Sequence, residues 1–204
     1  MQLPCDDIVH TQLHEQRLER VVSWLRGEGA RTVVDFGCGR GVLLERLARE
    51  PAFTRLLGVE SSREALALAR QEMLGPETDH VELLNASFTD PGLSVGAFDA
   101  GVMLETIEHV NPGQLSGVER AVLARARPRL LIMTTPNGEY NPLLGLPPGA
   151  FRDPDHRFEW NRARFRQWCR RAAERHGYRV TFQGIGEQDP ELGTPTQAAL
   201  FRRS

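Results

Sequence analysis

Lysine is absent from this 204-residue sequence, and all 25 of its lysine-or-arginine positions are arginine. A replacement that uniform reads as codon bias rather than as a chemistry selected at each site. No apolar run approaches the roughly 20 residues needed to span a bilayer. The opening MQLPCDDIVH also has neither the basic stretch nor the apolar core of a secretory signal. Both absences point to a cytoplasmic protein with no membrane contact. Cysteine is scarce, and Cys5, Cys38 and Cys169 are far apart with no CxxC pair. That excludes the common zinc and redox motifs and leaves the three as small buried hydrophobes. Internal repeats and low-complexity tracts are missing too.

What is present fits an ordinary folded chain. The composition, 40% hydrophobic and 25% charged, is that of a globular protein, and the length suffices for one α/β core. Residues 1–204 are therefore read as a single domain. The spacing of Leu18, Val21, Val22 and Leu25 predicts a helix over 14–26. Residues 32–36 form a short apolar run ending in glycines, with a helix expected over 42–49. The unit recurs as a strand at 56–60 and a helix at 63–73, followed by strands at 80–85, 98–104 and 130–134. Strands alternating with helices argue for a mostly parallel sheet covered on both faces.

Residues 137–160 differ in texture. They are rich in Gly, Pro and Asn and include PLLGLPPG, which cannot sustain a helix or a central strand. A loop of that length suits a lid over a substrate or metal. Residues 161–204 then read as a helix at 162–176 closed by Gly177, and two strands at 178–183 and 196–201. By analogy of fold, a doubly wound sheet ending in an antiparallel hairpin is the seven-stranded, Rossmann-like plan of class I S-adenosylmethionine-dependent methyltransferases.

The segment VVDFGCGRG puts Asp35 at a strand end and Gly37, Gly39 and Gly41 in the turn before a helix. Glycines there let the chain turn sharply and let its backbone approach a ligand at the helix N-terminus. The spacing is GxGxG rather than GxGxxG, and an acid precedes it. Asp35 would repel a pyrophosphate, whereas the sulfonium and amine of S-adenosylmethionine are cationic, so charge favours the methyl donor over NAD. Glu60, ending the second strand, is placed to accept the adenosine ribose hydroxyls. NASFTD adds Ser87 and Phe88 near the adenine, although Ser87 is equally suited to capping a turn.

LETIEH follows the fourth strand, at the edge where open α/β sheets bind ligands. If a helix begins there, Glu105, Glu108 and His109 project from one face. Two carboxylates and an imidazole converging on one point call for a cation, and this mixture suits Mg²⁺ or Mn²⁺, with the imidazole favouring the latter. ExxEH alone is more often a charged helix face. His156, in RDPDHRFEW, strengthens the metal reading, with Asp155 and Arg157 as candidates to orient it. The net charge of -2 hides an uneven distribution: nine arginines face four acids between Arg152 and Arg179. Such a face suits a polyanion or is simply solvated. Arg162, Arg164, Arg166, Arg170 and Arg171 are placed to track phosphates. Phe158 and Trp160 either stack on a terminal base or, the better-supported job, pack beneath the lid.

ETIEH, TTPNGEYNP, RDPDHRFEW and GTPTQ together, in that order, resemble the Hen family of RNA 3′-terminal ribose 2′-O-methyltransferases over nearly the whole chain from Leu13. The resemblance implies that Glu105, Glu108, His109 and His156 are metal ligands and the catalytic set. It also implies that Asp35, Gly37, Glu60 and Ser87 surround the methyl donor, and that the partner is an RNA 3′ end with free 2′ and 3′ hydroxyls. Bacterial members carry an N-terminal half that joins an RNA repair ligase. This sequence has no room for one, so it is read either as the catalytic domain alone or as a short member nearer the small-RNA enzymes in layout, and a repair or small-RNA processing partner is left open.

Three other readings compete. A metal-dependent O-methyltransferase of a small diol uses the same logic but leaves the arginine-rich segment idle. A metallohydrolase leaves DFGCGRG and Glu60 unexplained. A catalytically silent RNA-binding module would bind RNA without turnover.

Overall fold

The computed structural model describes residues 5–73 and 78–204, and the side chains of residues 5–11, Cys5 among them, lie outside that description. Helix α1 (Cys5–Gly27) leads into β1 (Thr32–Phe36), α2 (Val42–Ala48), β2 (Arg55–Glu60), α3 (Arg63–Glu72), β3 (Val81–Asn85) and β4 (Ala100–Leu104). After α4 (Leu115–Glu119) come β5 (Leu130–Pro136), α5 (Arg162–His176), β6 (Tyr178–Ile185) and β7 (Thr196–Arg203). The seven strands form one sheet in the order β3-β2-β1-β4-β5-β7-β6. The first five are mutually parallel, while β7 runs antiparallel to both β5 and β6. Both terminal strands extend past the expected ends at Gln183 and Phe201.

The central strands are apolar throughout because both faces are covered, and every residue of β5 is buried. One face packs Leu18, Val21 and Leu25 of α1, Leu44 of α2 and Leu66 of α3. The other packs Val118 and Val122 with Phe165, Cys169 and Ala173 of α5. Cys38 and Cys169 are buried free thiols. Local chemistry sets the helix ends: Ser62 caps α3 through Ala65 N at 3.1 Å, and Asn161 caps α5 through Arg164 N at 2.8 Å. Gly177, at φ 72°, stops α5. Among the described residues, no helix is long and apolar enough to cross a membrane.

Two stretches differ from expectation. α4 continues as a π-helical turn over Arg120–Ala126 in a region with no predicted element. Val118, Ala121 and Val122 line its buried side, a short signal masked by the surrounding Gly, Pro and Arg. In the long connection, Gly138–Leu144 winds as a 3₁₀ helix despite Pro142, because Asn137 caps it through Glu139 N at 3.1 Å.

The order of strands reverses between β1 and β4, the two strands that neighbour each other at the sheet's centre while their connections run to opposite sides. The carboxyl ends of parallel strands at such a point open a crevice. The glycine turn, Glu60, Ser87 and the segment after β4 converge there.

Candidate active site

The glycine turn after β1 is built by backbone geometry. Gly37, Gly39 and Gly41 have φ of 82°, 53° and 82°, a region that side chains with a Cβ rarely enter. A Cβ on Gly37 would sit 2.4 Å from Thr106 Cγ2, so the turn is pressed against the segment that follows β4. Glu60 ties the turn to the end of β2, its carboxylate accepting from Gly39 N at 3.1 Å and from Ser62 N at 2.8 Å. Asp35 is buried, with Oδ1 lacking any partner among the described residues. Burial, with a smaller contribution from the Glu60 charge, pushes its pKa up to about 7.

Beside this turn is a cavity of about 480 Å³ lined by Gly37, Gly39, Glu60, Ser87, Phe88 and, from the next strand over, Glu105 and His109. Phe88 sits edge-on to Phe36 at 6.4 Å. The Ser87 hydroxyl also caps its own turn, accepting from Thr89 N at 3.2 Å, so both readings of that residue hold a place in the geometry.

After β4 the expected helix does not form. Glu105 takes φ 49° and its N–H stays in the sheet, donating to Thr134 O at 3.2 Å. Only the turn Ile107–His109 is helical, and Pro112 begins another short turn soon after. Glu105 is therefore not on a common helix face with Glu108 and His109. Its Oε2 pairs with Arg17 of α1 at 3.0 Å, while its Oε1 is buried without a partner among the described residues. A non-glycine residue in left-handed conformation holds about 1–3 kcal/mol of strain, and such residues cluster at functional sites.

Glu108, His109 and His156 come together instead, each offering a ligand atom within 4.8 Å of the others. The two imidazoles meet edge to face with centroids 4.7 Å apart. Glu108 is fully buried; Thr135 donates to its Oε2 at 2.9 Å, and Oε1 is unpartnered among the described residues. Burial, reinforced by the Glu105 charge, raises its pKa well above the ordinary carboxylate range. Burial, with His156 beside it, lowers that of His109.

The orientation of His156 corrects the sequence reading. Neither the Asp155 nor the Arg157 side chain holds it: Asp155 bonds His109 through its backbone, and Arg157 N donates to Glu108 O at 2.7 Å. Glu159 does the work, with Oε1 2.6 Å from His156 Nδ1. That carboxylate also accepts from Asn141 Nδ2 at 2.6 Å and from Arg152 N at 2.7 Å. The buried Arg152 side chain bonds the carbonyls of Asn137, at 2.7 Å, and Pro195, at 2.8 Å. His156 is thereby pinned to the ends of β5 and β7, leaving Nε2 toward the cluster. Glu159 and Arg152 lay within the quoted RDPDHRFEW but carried no distinguishing signal. Arg17, a helix residue far away in sequence, carried none at all.

Trp160 is buried and stacks on Phe158 at 4.3 Å, which is the packing role beneath the loop. Along α5, Arg164, Arg166, Arg170 and Arg171 are exposed. Arg162 is instead bonded to Glu139 and, at 2.5 Å, to the Glu191 carbonyl.

Residues 33–129 match a family described as a methyltransferase domain. Over 214 residues the chain is 36% identical to the small RNA 2′-O-methyltransferase of Arabidopsis thaliana, covering 94% of this chain and 22% of that one. The protein of the same name from Rattus norvegicus is 30% identical, with 94% and 51% covered. The chain thus spans about a fifth of the first relative and about half of the second. The solved methyltransferase domain of the bacterial protein CtHen1 is 37% identical with a TM-score of 0.83, covering 94% of this chain and 99% of that one. The fold is that of class I S-adenosylmethionine-dependent methyltransferases.

Proposed function

The chain belongs to the family of Hen1 methyltransferase domains, and from that premise we propose that it transfers a methyl group from S-adenosylmethionine to the 2′-hydroxyl of the 3′-terminal ribose of RNA, with a divalent cation at the carboxylate–imidazole cluster. The observation that carries this reading is a shared wall: Glu105 and His109 line the same cavity as Gly37, Gly39, Glu60 and Ser87. A donor seated on the glycine turn and an acceptor seated at the cluster would meet in one space.

On the donor side, Glu60 accepts the hydroxyls of the adenosine ribose, while Ser87 and Phe88 flank the adenine. Asp35, costly to ionise in the free protein because of its burial, faces the cationic amine that would keep it charged. Gly37 and Gly39 let the donor approach the backbone.

On the acceptor side, Glu108, His109 and His156 would hold the cation, with Glu105 as a fourth ligand. The buried, unpartnered Oε1 atoms of Glu105 and Glu108 fit such a group, and the mixture of oxygen and imidazole donors suits Mn²⁺ or Mg²⁺. When bound, the cation supplies Lewis acidity toward a vicinal diol and lowers the pKa of its hydroxyls. Thr135 and Glu159 fix Glu108 and His156 in place. In the transfer, the 2′-oxygen forms a bond to the methyl carbon as the carbon–sulfur bond breaks, leaving S-adenosylhomocysteine and a released proton. The exposed arginines of α5 supply sequence-independent attraction for RNA phosphates. RNA repair or small-RNA processing would supply such ends.

The test is mass spectrometry of a short RNA incubated with protein, S-adenosylmethionine and Mn²⁺. The expected product carries one methyl on the terminal 2′-oxygen, and none forms with EDTA or with a 3′-phosphate end. A methyl on a base, or transfer indifferent to chelation, overturns the proposal.

A further inference from the structure

Beside the first turns of α5, at the β6 edge of the sheet, lies a second cavity of about 210 Å³. Arg162 and Arg166 of α5, Phe182 and Gln183 of β6, Gln188 of the β6–β7 connection and Gln197 of β7 line it. None of these residues belongs to the donor cleft or to the carboxylate–imidazole cluster.

Gln197 carries the argument. It is 5% exposed, and its Nε2 donates to the backbone carbonyls of Pro136 at 3.0 Å and Trp160 at 2.8 Å. Its Oε1 is buried with no partner among the described residues. Flipping the amide would give two carbonyls no donor, so the orientation is fixed and the oxygen is left as an unused acceptor behind the cavity wall. Around it, the side chains of Gln183 and Gln188 reach the surface and offer both donors and acceptors. Arg166 lies 5.7 Å over the Phe182 ring, making a flat cationic and aromatic wall.

A bare anion would engage the arginine alone and leave the exposed Gln183 and Gln188 amides unused, and an apolar group would use neither. A planar heterocycle with N–H groups on its edge meets every wall: stacking on the arginine–aromatic face and hydrogen bonding at its rim. That is how proteins hold unpaired RNA bases. The position agrees, since Gln197 faces Thr135 in the β5–β7 register and Thr135 bonds Glu108. The cavity therefore lies one strand from the cluster, within reach of an RNA whose end is held there.

We propose that this cavity is a nucleobase subsite taking one unpaired base upstream of the methylated end. The proposal rests on the reading of the protein as an RNA 3′-end methyltransferase. It is tested with a series of short RNAs, each with a single abasic residue at one of the positions upstream of the 3′ terminus. One position should raise KM about tenfold, the scale of a stacked base, with little change in kcat. In the Gln183→Ala/Gln188→Ala double variant, whose sites are both exposed, the ratio of abasic to intact KM at that position should fall to about twofold or less. A flat abasic series with the wild-type protein, or a penalty unchanged in the double variant, overturns the subsite while leaving the 2′-O-methyl assignment standing. No transfer to intact RNA overturns both.

Discussion

The two halves of the proposed site, a donor cleft and an acceptor cluster, are built in opposite ways. The donor cleft comes from a short stretch of chain: one glycine turn, one strand end and the carboxylate of Glu60, joined by bonds to Gly39 N at 3.1 Å and Ser62 N at 2.8 Å. The acceptor cluster unites the end of β4 with a loop that arrives just before α5, and Glu159, Arg152 and Thr135 help pin its members. A local device is set by backbone conformation, whereas a long-range one needs a polar network that is satisfied at every member. Damage should therefore separate them cleanly, except where they touch.

The largest separation is expected from His156→Ala. If His156 is a cation ligand as proposed, its loss should lower methyl transfer by about a thousandfold or more, while calorimetric binding of S-adenosylmethionine changes little. Loss of donor binding in this variant would break the division. The converse is Glu60→Ala, expected to weaken the donor by about 10- to 100-fold, the scale of hydrogen bonds to a charged group, while Mn²⁺ affinity measured by electron paramagnetic resonance holds steady.

Glu159→Ala sharpens the acceptor side. It removes the orienting partner of His156, not a ligand, so Mn²⁺ affinity should fall about 10- to 100-fold and recover in part with Glu159→Gln. No recovery would point to a general collapse of the loop.

Gly37→Ala probes the contact between the halves. Its new Cβ would meet Thr106 Cγ2 at 2.4 Å in a backbone at φ 82°, so chemical denaturation should show a loss of about 1–3 kcal/mol. Donor and cation binding should weaken together, and weakening of one alone would argue that the contact does not couple them.

A further effect is one of pH. The folded Asp35 pKa is raised from 3.8 to about 7. In that window the folded state binds the proton more tightly than the unfolded chain, so this group's contribution to stability falls as pH rises from 3.8 toward 7. Asp35→Asn should flatten that decline in the ligand-free protein and make it more stable than wild type at pH 8, while weakening the donor. Equal pH slopes for the two proteins would show that Asp35 ionises freely.

Much of the geometry of the proposed donor side was legible beforehand because its signals are local. DFGCGRG and the acid ending β2 follow from what a turn against a ligand requires, and β1 spans the residues expected of it. The acceptor side was half legible. ETIEH and His156 stood out by residue type, but the helical face assigned to Glu105, Glu108 and His109 did not form, since Glu105 leaves the strand at φ 49° and pairs with Arg17. Glu159, an acid among many, looked no different from a surface residue until its neighbours were known.

Sequence alone determined the order of the seven strands and of the helices other than α4, the glycine turn and the types of side chain available for chemistry, because periodicity, chain reversal and charge are written within a few residues. Tertiary structure decided which carboxylates converge, which imidazole is oriented by which acid, and that Gln197 has a buried oxygen with no partner among the described residues. Those outcomes depend on burial and on partners brought together across the sheet from distant segments. No local pattern encodes them.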